Sequence, residues 1–142
     1  MKPVFTPLEQ IESFLKSESG NRALTGLLRF VPEMEKEFDR VNKAIPIALT
    51  EEAKQKYIDL ESINSEIRKH IYESGVLVSF DWENWLEGKE ILEGIRPLPK
   101  TNKIKICKLL TLIVKMDSNA YGYFDYQLRK GTILSLINNL SE

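Results

Sequence analysis

Leu8, Ile11, Phe14 and Leu15 recur at helical spacing behind Thr6 and Pro7, residues suited to the cap and first turn, so the spacing predicts a first helix ending near Gly20. Leu24, Leu27, Leu28 and Val31 make a short apolar segment, and Pro32 opens an acidic helical stretch through Phe38 and Val41 that Pro46 interrupts. Thr50-Glu51-Glu52-Ala53 reads as another helix start. The stripe Tyr57, Leu60, Ile63, Ile67 and Ile71 continues it to Gly75, which predicts the longest helix of the chain. Val76 to Phe80 is short and rich in valine, and reads as a lone extended segment.

Asp81 is placed to cap the next helix, its carboxylate accepting from the backbone amides of residues 83 and 84, with Trp82, Trp85 and Leu86 on one face. Gly94 to Lys100, containing Pro97 and Pro99, ends that helix and links it to the next. At about 100° per residue, residues 100 to 116 gather Ile106, Cys107, Leu109, Leu110, Ile113 and Val114 on one broad side. Lys100, Lys105, Lys108 and Lys115 fall on the other. After a break from Asp117 to Gly122, Phe124 to Lys130 forms a short helix with Gly131 as its left-handed cap, and Ile133, Leu136, Ile137 and Leu140 finish the chain. The expected fold is all-α, a compact single-domain bundle of six or seven helices around a buried central helix near residues 102–116.

A chain of 142 residues suits one domain spanning 1–142 that buries roughly 68–70% of its unfolded surface, so no staple is required. The single cysteine, Cys107, reads as a small apolar core side chain, which fits a reducing compartment. Residues 1–7 lack the apolar stretch and cleavage site of a secretory signal, and no window approaches a membrane span; a cytoplasmic protein without membrane contact is expected. Net charge is −1, which makes the whole chain neither polyanion-seeking nor strongly acidic.

Charge is nevertheless segregated. Arg96 to Lys115 holds six basic residues and no acid, whereas Asp81 to Glu93 holds five acids against Lys89. Lysines 100, 105, 108 and 115 could neutralise phosphates, with Tyr121, Tyr123 and Tyr126 as stacking surfaces; the competing reading is the solvated side of an amphipathic helix. Asp81, Trp82 and Trp85 could clamp a cation or planar ring, or simply cap and pack a helix. His70 with Glu66 and Glu73 reads as a solvated charge cluster, short of a zinc site, and no metal or cofactor is expected. Gly88-Lys89 lacks the rest of a phosphate loop, and no serine stands in a nucleophile elbow.

Ser74-Gly75, Phe80-Asp81-Trp82 with Trp85, Leu109-Leu110-Thr111, Lys115 with Asp117, Gly122 and Gly131-Thr132-Ile133 occur in that order. In these residues the stretch from about 70 to 140 resembles a family of small bacterial proteins known as a domain of unknown function. The resemblance implies a shared helical fold and no established activity. Where relatives usually carry an arginine and then an Arg-Phe pair after the aspartate, this chain has Lys115, Ser118 and Asn119, so any arginine cluster there is weakened.

The leading expectation is a non-enzymatic interaction domain with an unidentified protein partner, its candidate residues being Asp81, Trp82, Trp85, Lys115 and Asp117. The alternatives are nucleic-acid binding through Lys100, Lys105, Lys108 and Lys115, and a small enzyme near Asp81 and Asp117 should the fold join those two motifs.

Overall fold

The computed structural model describes residues 2–45 and 50–141, so the interruption assigned to Pro46 lies outside the described residues. The helices are α1 (Leu8–Lys16), α2 (Glu18–Leu28), α3 (Val31–Ala44), α4 (Glu51–Gln55), α5 (Glu61–Glu73), α6 (Leu86–Leu92), α7 (Lys103–Asn119), α8 (Tyr123–Lys130) and α9 (Thr132–Asn139). Two short strands, β1 (Phe5–Pro7) and β2 (Leu77–Ser79), complete an otherwise all-α bundle. No helix among the described residues is long and apolar enough to cross a membrane.

The bundle is divided more finely than helical spacing alone suggests, because side chains interrupt two of the runs. Ser17 accepts from the Gly20 amide at 3.1 Å and returns its hydroxyl to the Phe14 carbonyl at 2.6 Å, which ends α1 and starts α2. Thr50 caps α4 as expected, accepting from Ala53 N at 3.1 Å, but that helix stops at Gln55. Glu37 and Arg40 of α3 claim the turn that follows: Glu37 accepts from Asp59 N at 2.7 Å, and Arg40 donates to the Tyr57 carbonyl at 3.1 Å. Tyr57 is therefore exposed, while Ile63, Ile67 and Ile71 of α5 keep their places in the core. The expected longest helix is thus split, and α7, with 17 residues, exceeds it.

Helix α7 is the buried centre that the apolar run over 102–116 indicates. Every residue from Leu109 to Val114 is buried, so this middle stretch of the helix is enclosed on all sides, and the helix packs against α6, α8, α9 and β2. It runs through Asp117 to Asn119, three residues into the expected break. Cys107 is fully buried in it, and loss of hydration pushes its thiol up to about 12, which makes it a core side chain and no nucleophile.

The extended segment after Gly75 is not alone. β2 pairs in parallel with β1 in the register Phe5↔Leu77, Thr6↔Val78, Pro7↔Ser79. Gly75 turns the chain into β2 at a φ of 95°, and its carbonyl accepts from the Thr6 hydroxyl at 2.6 Å.

Candidate functional site

Most of the residues picked out by the sequence sit on or against α7, and their partners define what each can do. Lys108 Nζ lies 4.7 Å from the Phe80 ring and 4.4 Å from the Trp85 ring. These two rings meet edge to face at 5.5 Å and 81°. Burial against them lowers the Lys108 pKa. Lys115 Nζ covers the Phe5 ring of β1 at 4.4 Å, and Lys105 pairs with Glu87 at 3.2 Å. Of the four lysines proposed for phosphate contact, three are thus engaged within the molecule, while Lys100 is exposed.

The cap expected at Asp81 is overturned. Trp82–Asn84 forms a single 3₁₀ turn, and the Asp81 carboxylate accepts from the Asn84 side-chain amide at 2.8 Å in place of backbone amides. The Trp85 indole lies flat enough over Gly88 that a Cβ built there would overlap it, so glycine permits α6 to pack under the ring. Trp82 and Trp85 are both half-buried.

Thr111 is fully buried between strand and helix. Its hydroxyl accepts from Val78 N and donates to the Cys107 carbonyl, both at 2.8 Å, so α7 satisfies the edge of β2 that β1 leaves open. That is the physical content of Leu-Leu-Thr. Thr111→Val should lower the unfolding free energy by about 1–3 kcal/mol in a urea titration, by stranding a buried amide, whereas Thr111→Ser, which keeps the hydroxyl, should cost about 1 kcal/mol for one methyl. Equal losses would remove the role of the hydroxyl.

Asp117 acts at a distance. Its Oδ1 accepts from Phe124 N at 2.8 Å, capping α8 across the turn that Gly122 makes at a φ of 93°. Its Oδ2 pairs with Arg68 of α5 at 2.9 Å, and the guanidinium lies 4.3 Å over the Phe124 ring. Burial pushes the Asp117 carboxyl up, but the Phe124 amide and Arg68 outweigh it and hold it below its usual value. Arg68 is the one member of this group that the sequence did not mark, since its partner is 49 residues away.

The two acids of the enzyme alternative therefore stand apart in function: Asp81 is held by Asn84, Asp117 by Arg68 and Phe124, and no hydrogen bond or ion pair among the described residues joins them. Lys115 and Asp117 point about 160° apart around α7. The cleft beside Asp117, about 440 Å³, is lined by Asn64, Arg68, Tyr121 and Asp125, and its charged groups are mutually paired or hydrogen-bonded. His70 is no solvated cluster: its ring packs on Gly26, and Nε2 donates to the Ala23 carbonyl at 2.8 Å, joining α2 to α5. Among the described residues no group of three or more His, Cys, Asp or Glu side chains is placed to hold a metal.

Next to the tryptophans, α6 turns one side outward. Gly88, Ile91 and Leu92 face the core, which turns Leu86, Glu90 and Glu93 to the other side of the helix. Leu86 is 68% exposed, and Ile95, whose amide folds back to the Glu90 carbonyl at 2.9 Å, is 65% exposed. Leu86 was expected to share the tryptophan face; an apolar residue inside an acidic run is the signal that could have marked it as a surface anchor, and Ile95 carried no local signal.

Fold and site together define a small all-α domain in which the buried motif residues hold the architecture and one strongly exposed apolar side chain, Leu86, adjoins the tryptophans. The chain belongs to a family of unknown function, DUF6508, whose model matches residues 20–142 and so takes in most of α2 and all of α3 to α5, upstream of the motifs. No curated protein and no solved structure matches it at a significant level.

Proposed function

We propose that this is a non-enzymatic protein–protein interaction domain of the bacterial cytoplasm, which engages its partner through the outward side of α6 and the adjoining Trp82–Trp85 turn. The observation that carries this reading is the exposure of Leu86, adjacent in the chain to the half-buried Trp85, and of Ile95, which folds back onto the other end of α6. Exposed apolar groups next to aromatic anchors are what an interface core is made from. The groups that could have reacted are spent elsewhere: Asp117 on α8, Thr111 on β2, His70 on α2.

Engagement of the lysines favours this reading over nucleic-acid binding. Replacing Lys105, Lys108 and Lys115 together with glutamine should cost about 1–3 kcal/mol of stability, since three cation–ring contacts and one ion pair are lost, while leaving partner capture intact. A double variant, Leu86→Asp with Ile95→Asp, should fold normally and lose the partner in gentle affinity capture from a bacterial lysate. Capture by that variant equal to the parent would end the proposal. Nucleic acid captured by the parent and lost from the glutamine variant, with a salt slope near about −0.9 per phosphate, would replace it.

A further inference from the structure

The acidic rim of the same surface says what kind of partner segment fits it. The inference rests on the interaction reading above and names the partner's chemistry. Residues 81 to 93 carry five acids and one lysine. Two of the acids are matched inside the chain, Glu87 by Lys105 at 3.2 Å and Glu90 by Arg96 at 3.3 Å. Lys89 is turned to the Glu83 carbonyl at 2.6 Å. Asp81, Glu83 and Glu93 are exposed and have no ion-pair partner among the described residues, Glu83 just before α6 and Glu93 at its end. Leu86 lies between them, and Ile95 folds back beside Glu90.

We infer that the surface of α6 docks a basic amphipathic segment of another protein, an apolar side chain seated at Leu86 and Ile95 with lysine or arginine on either side of it reaching Glu83 and Glu93. The complementarity is directional. An acidic or neutral segment would bring like charge, or none, to three unmatched carboxylates, while a basic one matches them and keeps the apolar contact. A second copy of the chain offers less from its α7, because Lys105, Lys108 and Lys115 there are occupied by rings and by Glu87.

The test is selection from a displayed library of random peptides of about twelve residues, long enough to span about 18 Å as a helix. The full chain is the bait, and the Leu86→Asp, Ile95→Asp variant is the counter-bait. The expected result is enrichment of peptides with at least two net positive charges flanking a large apolar residue, bound by the parent and lost from the variant. For the best of them, Glu83→Gln with Glu93→Gln should weaken binding about three- to ten-fold, and the parent's affinity should fall as salt rises. Neutral or acidic peptides that are lost from the variant would overturn the basic-segment inference and leave the docking surface standing. Peptides bound equally by both baits, or no enrichment, would overturn both. Dimerisation of the parent that the Leu86→Asp, Ile95→Asp variant abolishes would also overturn the inference, since the occupant would then be a second copy.

Discussion

Asp117→Ala is expected to lower the unfolding free energy by about 2–4 kcal/mol, read from the midpoint of a urea titration at unchanged slope. Two losses combine. The Phe124 amide loses its cap, worth about 1 kcal/mol, and Arg68 is left partly buried over the Phe124 ring without its counter-charge. Because the second loss is that of an orphaned cation, Asp117→Ala combined with Arg68→Met should be less destabilised than the two single changes sum to, a coupling measurable in a double-mutant cycle. The same carboxylate sets a pH dependence. Its folded pKa lies below the unfolded value of about 3.9, so its contribution is fully present above that value and is lost as pH falls through the lower folded one. The parent should therefore lose stability below about pH 4 more steeply than Asp117→Ala does. A single-variant loss below about 1 kcal/mol, or identical acid limbs, would refute the assignment.

Gly20→Ala should be at least as costly, about 3 kcal/mol, although alanine is the better helix former. The gain in propensity is at most about 1 kcal/mol. Against it stands a methyl group that would overlap the Phe14 carbonyl oxygen and crowd the Leu15 Cα, backbone atoms that cannot swing aside as a side-chain tip can. The corner between α1 and α2 would have to open, and Ser17 would lose its geometry with both Phe14 and Gly20. Ser19→Ala, one residue away and exposed, should change stability by less than about 0.5 kcal/mol and serves as the control. Equal stability of the two variants would show that the corner has room.

The parts of this fold legible in the sequence are those set by neighbours three and four residues apart. The stripe Ile63, Ile67, Ile71, the apolar run that becomes α7 and the left-handed Gly131 after α8 all follow from local rules, and all are present. The parts that were not legible depend on pairings across the chain. Thr111 meets Val78, 33 residues away, and Arg68 meets Asp117, 49 away; no periodicity encodes either. β1 is three residues ending in proline, too short to alternate, and becomes a strand only because β2 is there to pair with it. Asp81 misled for a related reason. A carboxylate before two indoles fits a helix cap, but the chain forms a single 3₁₀ turn before α6, and the nearest donor is the side chain of Asn84. The site divided in the same way: its acidic run and tryptophans could be read directly, while the lysines could not, since only packing reveals that Lys108 and Lys115 lie on rings.

The parallel pairing of Phe5 with Leu77 joins positions 72 residues apart, and this sets an order of events during synthesis. At about 5–20 residues per second, the amino-terminal segment waits roughly 4–14 s before its partner strand has even been made, and longer before Thr111 arrives to close the far edge. Through that interval its amides have no strand to bond. Pro3 and Pro7 bracket the segment and remove two of its donors, so the nascent chain presents a poor template for pairing with a neighbouring one. Pro3 and Pro7 thereby guard this segment until the strand that pairs with it has been made.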